Sequence, residues 1–339
     1  MEIQIDANSQ TPIYKQLVES IQKLIDAGIY QKGKFLPSMN ELANKLQISK
    51  ETVKKAYSVL RDTGFIESTQ GKGFYVTNNG KNKIKILLLF DKISTYKQVL
   101  YNSFATQIED IAETTIRLHN QDIDLFEYFI EQNLDYFDYY LITPHFPLDS
   151  EIQKRAITCL KKIPNRKLII LDRYINLKGN FGAVFQDIEN DGYNGLKEAV
   201  QDLKKYKRLN IISKGSLYAP IIKKGIEKFC IEFGIPFKVL ENIETKKIQK
   251  NQIYLILNSQ LDTELIELAH DAKKQGCKIG KDIGIISYNE SPINEIVLNG
   301  LTVLSTDFKK MGELAAEMIQ TKSFKKIRCD FHLIRRTTF

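Results

Sequence analysis

Between residues 49 and 54 the chain gathers Ser49, Lys50, Thr52 and Lys54 within about a turn and a half of helix. Hydroxyls and ammoniums at a helix N-terminus reach phosphate oxygens and base edges, and the N-terminus itself attracts a phosphate. A second set lies far downstream, where polar residues close apolar runs: Asp172-Arg173, Asn258-Ser259 and Tyr288-Asn289-Glu290. A guanidinium, amides and a carboxylate suit sugar hydroxyls, each of which donates and accepts. Tyr96, His145 and Tyr218 follow other strand-like runs and could stack on a sugar's apolar face. Arg173 could instead hold an interlobe salt bridge with Asp187 or another acid, and Asn258 and Asn289 could simply be strand-end turn residues.

Little in the chain points to bond-making chemistry. There is no Walker A motif, no GxGxxG after a strand, no GxSxG elbow and no HExxH. The four histidines, His119, His145, His270 and His332, are not paired at ligand spacing, so neither a metal nor a cofactor is expected. Cys159, Cys230, Cys277 and Cys329 form no CxxC pair and read as reduced core residues.

The elements that must hold the first set lie in the N-terminal quarter. Ile13, Leu17, Ile21, Leu24 and Ile25 keep helical spacing across 11–27, with Thr11 and Pro12 as a start signal and Gly28 as a stop. Ser38-Met39-Asn40-Glu41 reads as a capping box opening a short second helix that ends near Leu46. Ser49 then caps a third helix running to about Thr63, where Gly64 stops it. Phe65–Ser68 and Phe74–Val76 read as two strands around the tip Gln70-Gly71-Lys72-Gly73. Three helices followed by a hairpin is the layout of a winged helix-turn-helix. Residues 45–83 carry eight Lys or Arg against three Asp or Glu, a local excess of +5 within a chain of net charge +8. The positive charge gathers where a polyanion would lie.

With 339 residues, 43% hydrophobic and 27% charged, the chain has room for two domains. Residues 78–83 are polar and without periodicity, an expected linker between domains 1–77 and 84–339. Beyond it short apolar strands (84–90, 139–143, 167–171, 182–186, 208–213, 236–240, 252–257, 283–287) alternate with amphipathic helices (97–116, 149–163, 189–205, 217–234, 260–275). Continuous apolar runs such as Leu168–Leu171 imply strands buried on both faces of parallel sheets. So many strands point to two doubly wound lobes. No apolar run approaches the roughly 20 residues that span a bilayer, and Glu2–Asp6 lacks the character of a signal peptide, so a cytoplasmic protein with no membrane contact is expected.

The N-terminal motifs are specific enough to name a resemblance. Leu36-Pro37-Ser38-Met39-Asn40-Glu41-Leu42-Ala43, Ile48–Ala56, Gly64-Phe65-Ile66 and Gln70–Val76 resemble the GntR-family DNA-binding domain over about residues 10–77. The resemblance implies a candidate DNA-contact set of Ser38, Asn40, Ser49, Lys50, Thr52 and Lys54, with Gln70, Gly71 and Lys72 at the wing tip. That family usually has arginine where Asn40 stands, and often where Lys50 and Lys54 stand; lysine cannot form the bidentate fork of arginine on guanine.

The rest resembles the periplasmic-binding-protein-like sensor domain of the LacI family. Its landmarks are Leu171-Asp172-Arg173, then Asp187 and Gly192, Tyr254–Ser259, Gly276–Glu290, Leu301–Leu304 and Met311–Ala316. Arabinose-repressor-type proteins combine these two modules. The resemblance implies an effector cleft, with Tyr96, His145, Arg173, Tyr218, Asn258 and Asn289 as candidate contacts. Ile222 stands where that family often has a ligand-contacting arginine, and Ser259 and Asn289 replace acidic residues common in its sugar binders. The expected protein is a homodimeric repressor of a carbohydrate-use operon, bound to a double-stranded operator and modulated by a small sugar. A DNA-tethered doubly wound enzyme and a ligand-independent DNA-binding protein remain the alternatives.

Overall fold

A computed structural model describes residues 3–6, 9, 11–77, 83–213, 217–240, 248–257 and 263–339. The chain divides into two compact units, Met1–Lys83 and Ile84–Phe339. Most of the expected linker, 78–82, lies outside the described residues.

The first unit consists of α1 (Ile13–Asp26), α2 (Met39–Leu46) and α3 (Lys50–Asp62), followed by the hairpin β1 (Ile66–Thr69) and β2 (Gly73–Val76). Each helix turns its apolar stripe inward. Leu17, Ile21 and Ile25 of α1 meet Val53, Ala56, Tyr57 and Leu60 of α3, and Leu42, Phe65 and Val76 close the same core. The capping box of α2 is complete: the Glu41 amide donates to Ser38 Oγ at 3.2 Å and the Ser38 amide to Glu41 Oε2 at 2.8 Å. Those bonds hold the Glu41 carboxyl below its ordinary range. The start of α1 differs from the expected cap. Pro12, not Thr11, occupies the cap position and no side chain caps the helix; instead Gln16 Nε2 donates to the Thr11 carbonyl at 2.7 Å.

The second unit begins with β3 (Ile84–Phe90), α4 (Thr95–Ile108), β4 (Ala112–Leu118), α5 (Ile123–Glu131), β5 (Tyr139–Ile142), α6 (Ser150–Leu160), β6 (Leu168–Arg173) and β7 (Gly182–Gln186). The chain crosses into a second lobe with α7 (Asp191–Lys197), α8 (Val200–Leu203), β8 (Arg208–Ile212), α9 (Ala219–Phe233), β9 (Phe237–Leu240), β10 (Gln252–Ile256), α10 (Thr263–Lys274), β11 (Ile283–Tyr288) and β12 (Thr302–Thr306). It returns to the first lobe as α11 (Phe308–Thr321) and β13 (Lys326–Arg328), and ends in the second as β14 (Phe331–Ile334). The first sheet is parallel throughout, in the order β13-β7-β6-β5-β3-β4; the second runs β14-β12-β11-β10-β8-β9 with only β14 antiparallel. Alternation along β3 shows why these strands read as unbroken apolar runs. Ile86, Leu88 and Phe90 pack under α4 and α11, whereas Leu87 and Leu89 pack under α5 and α6.

Two sequence expectations are corrected. The expected helix 97–116 ends at Ile108, and residues 112–118 form the edge strand β4, paired from Ile84–Ala112 to Phe90–Leu118. Leu100, Phe104, Ile108 and Ala112 keep helical spacing across the break, so periodicity runs through it; only pairing with β3 fixes the strand. The expected helix 189–205 is likewise two pieces, α7 and α8, broken at Glu198-Ala199. Asp122 caps α5, its Oδ1 accepting the Asp124 amide at 2.8 Å.

One glycine shows how tightly α11 lies on α4. A Cβ built on Gly312 would sit 2.4 Å from the Leu100 carbonyl oxygen. Gly312→Ala should therefore destabilise this unit by about 1–3 kcal/mol through overpacking. A urea unfolding midpoint equal to that of the unsubstituted chain would contradict so close an approach.

Candidate functional site

The first unit presents its expected DNA-contact residues on three elements. Ser49 Oγ accepts the Thr52 amide at 3.1 Å and lies 2.8 Å from Thr52 Oγ1, so these two hydroxyls build the N-terminus of α3 as well as standing at it. Ser38 is committed in the same way to α2, which leaves Asn40 exposed as the second residue of that helix. Lys50 and Lys54 sit one turn apart and exposed on the same face of α3. Lys54 has only a loose, solvent-screened partner, Glu51 at 3.6 Å. At the wing tip Gln70, Gly71 and Lys72 are exposed, and the positive φ of Gly71 (+77°) and Gly73 (+101°) lets the hairpin close. The wing is braced from behind: the Leu36 amide donates to the Phe74 carbonyl at 2.8 Å, and Tyr57 Oη to the Pro37 carbonyl at 2.7 Å. An open groove of about 710 Å³ runs along α3 beside the start of α1, past Tyr14, Thr52, Lys54, Lys55 and Ser58. Lys55 Nζ stands 4.1 Å over the Tyr14 ring, an arrangement no motif announced.

In the second unit the carboxyl ends of strands from both lobes converge on one cavity of about 240 Å³. This is where open parallel sheets bind ligands. The first lobe lines it with Asp91, Lys92, Tyr96, Gln121, His145 and Gln186; the second contributes Leu217, Tyr218, Ile222, Leu257, Tyr288 and Asn289. Ile188, just past β7, completes the lining.

Beneath the first lobe's wall lies a buried charged network. Lys97 Nζ bonds Asp91 Oδ1, with both side chains only 1% exposed. Thr143 Oγ1 donates to the same oxygen at 3.3 Å. Asp172, fully buried at a positive φ of 72°, is surrounded by donors. Tyr96 Oη reaches its Oδ2 at 3.2 Å, Gln186 Nε2 bonds its Oδ1, and His145 Nε2 stands 3.1 Å from Oδ2, off the line of a good hydrogen bond. Gln186 in turn accepts from Thr306 Oγ1 at 3.0 Å, tying the end of β7 to the end of β12 where two crossovers begin. Burial pushes both carboxyls up, but His145 and Lys97 outweigh it and hold Asp91 and Asp172 below the ordinary range. Burial drives His119, under the same wall, down to about 4, so its imidazole is neutral.

The expected effector residues do not all play the same part. Tyr96, His145, Tyr218 and Asn289 line the cavity. Arg173 does not: its Nη1 donates to Tyr218 Oη at 2.8 Å and its guanidinium lies 4.7 Å from that ring, a clasp from β6 of one lobe to α9 of the other. Its alternative partner Asp187 is taken by Arg328 at 3.2 Å. Tyr218 Oη also donates to the Phe146 carbonyl at 2.9 Å, so this hydroxyl is occupied and the ring is what the cavity meets. Asn258 lies outside the described residues. The sequence does not single out Asp91, Lys97 or Gln186, and Tyr288 stands in its strand-end set without being among the candidate contacts. Asp91 and Tyr288 close apolar runs, the signal that located Arg173 and Asn289; Lys97 gave none, since a lysine in an amphipathic helix reads as surface.

At the crossover Arg328 Nη2 also donates to Asp191 Oδ1 at 3.0 Å. Asp191 is fully buried; desolvation raises its carboxyl to about 6 despite Arg328. A carboxyl raised on folding costs stability once it ionises, so this cost is absent below about pH 4 and complete above about pH 6. Asp191→Asn should therefore gain stability relative to the unsubstituted chain as pH rises from about 4 to about 6, by at most about 3 kcal/mol, and keep that gain at higher pH. A melting-temperature difference that stays flat over that range would contradict it.

A winged helix-turn-helix joined to a two-lobed, doubly wound domain with an interlobe cavity defines the class: a DNA-binding module coupled to a sensor-type fold. Residues 13–76 match "Bacterial regulatory proteins, gntR family", and they are a GntR-type DNA-binding domain. The chain is similar to the "HTH-type transcriptional repressor YtrA" of Bacillus subtilis (strain 168), 42% identical over 82 residues, which is 24% of this chain and 63% of that protein. The match thus spans under two thirds of that relative. The remainder has the fold of LacI-type and periplasmic-binding-protein-like regulators. The Lac repressor dimer bound to operator and the anti-inducer ONPF superposes with a TM-score of 0.58 at 15% identity, covering 76% of this chain and 95% of that one. A periplasmic binding protein/LacI transcriptional regulator from Alkaliphilus metalliredigens QYMF, complexed with D-xylulofuranose, gives 0.56 at 16% identity over 75% and 98%. Among the described residues no helix is long and apolar enough to cross a membrane, and no group of His, Cys, Asp and Glu is placed to hold a metal.

Proposed function

We propose that the protein is a ligand-responsive transcription regulator, not an enzyme: a cytoplasmic homodimeric repressor of a carbohydrate-use operon. Its α3 and wing read a double-stranded operator, and a monosaccharide in the interlobe cavity modulates that grip. The observation that carries the sensor half is the cavity itself, walled by both lobes, to which Tyr288 Oη and Asn289 Oδ1 bring buried polar atoms with no hydrogen-bond partner among the described residues. Buried polar groups are normally satisfied, so a cavity faced by such groups suits a hydrogen-bonding ligand. Ligand seated between lobes favours one lobe arrangement, and any difference in DNA affinity between arrangements then couples the two sites. Further support comes from the YtrA relative, named a repressor, and from the Lac repressor neighbour, a dimer on operator.

The DNA half is tested by selecting duplexes from a random pool on the purified chain. A paired head should enrich a two-fold symmetric site with half-sites about 10 bp apart or a multiple of it. Enrichment of a single unrepeated motif would contradict the dimer, and no enrichment would contradict DNA reading altogether.

A further inference from the structure

Building on the sensor reading, we infer that the interlobe cavity takes an uncharged, hydroxylated sugar and discriminates against phosphorylated or carboxylated ones. The charges around it are already paired. Lys97 is buried and bonded to Asp91, so it neutralises the wall and offers nothing to an incoming anion. Arg173, the guanidinium that sequence reading aimed at the ligand, is clasped to Tyr218 and does not line the cavity. His145 faces Asp172. Among the described residues Lys92 is the only lining cation outside these pairs, and it is exposed at the rim, where water screens it.

On this wall the Asp91 carboxylate is already balanced by Lys97 and Asp172 lies behind His145, so a phosphate or carboxylate would meet acceptors there and no unspent cation. Opposite them the second lobe offers Leu217, Ile222 and Leu257, which strip water from a ligand and return no hydrogen bond. A neutral monosaccharide fits both walls. Its hydroxyls donate to Asp91 and Asn289 Oδ1 and exchange a hydrogen bond with Tyr288 Oη, while a C–H edge meets the aliphatic side. Tyr288 is only 4% exposed and its hydroxyl has no hydrogen-bond partner among the described residues, so it is available to a ligand hydroxyl.

The test uses the full chain. Thermal shift against neutral pentoses, hexoses and deoxyhexoses, each beside its phosphate and its uronic or aldonic acid, identifies binders; calorimetry then measures the pairs. At least one neutral sugar should bind, with its phosphate at least a hundredfold weaker. Tyr288→Phe should weaken that sugar at least tenfold while leaving the unliganded melting temperature unchanged. A phosphate or acid that binds as tightly as its parent sugar overturns the charge inference and leaves the sensor reading standing. Undiminished affinity in Tyr288→Phe overturns the assigned contact. If no sugar of any charge binds, the sensor reading falls and this inference with it.

Discussion

Replacing Lys50 and Lys54 together by alanine should weaken binding to a selected operator by roughly a hundredfold, as two charge-assisted contacts of about 1.5 kcal/mol each are lost. The same substitution should lower the slope of log affinity against log salt by about two, one for each phosphate no longer neutralised. The two effects separate what the lysines do. Both side chains are exposed and one turn apart, and Lys54 gains little from Glu51, so neither contributes much to folding. The unit should therefore melt where it did before. An anisotropy titration with unchanged affinity and slope would remove α3 from the DNA interface; reduced affinity with a lowered melting temperature would point to a structural role instead.

Asp91→Ala should cost the second unit about 3–5 kcal/mol, because it leaves Lys97 charged, buried and alone. Both side chains are 1% exposed, so water cannot stand in for the lost partner. The double change Asp91→Leu with Lys97→Met removes both charges at similar volume and should recover most of that loss. Denaturant unfolding of the three chains decides the matter. Equal destabilisation in the single and double variants would mean that shape, not charge, is what the pair supplies. Asp91 also lines the cavity, so the double variant should fold yet bind its sugar poorly.

Much of this architecture is legible before any coordinates, and the reasons are local. The capping box at Ser38–Glu41 and the Ser49 cap are fixed by neighbouring residues, so α2 and α3 begin where the sequence places them. Strands such as Leu168–Arg173 announce themselves because burial on both faces demands an unbroken apolar run. β4 does not, since an edge strand with a half-exposed face borrows its identity from β3. The cavity divides in the same way. Residues that close a strand, such as Asn289, can be placed by the rule for parallel sheets. The part played by Arg173 cannot, because its partner Tyr218 is 45 residues away and the choice among Tyr218, Asp187 and a ligand is made by tertiary packing. Lys97 is hidden for a related reason: nothing in an amphipathic helix marks the one lysine that turns inward to a carboxylate.

The claim on which the rest depends is that DNA binding is conditional on what fills the interlobe cavity. Operator affinity measured by fluorescence anisotropy, with and without saturating neutral sugar from the panel above, tests it directly. Sugar should change the operator dissociation constant by about 5- to 150-fold, and operator should change the sugar's affinity by the same factor, as linkage requires. Identical operator affinity with the cavity filled and empty would contradict the account.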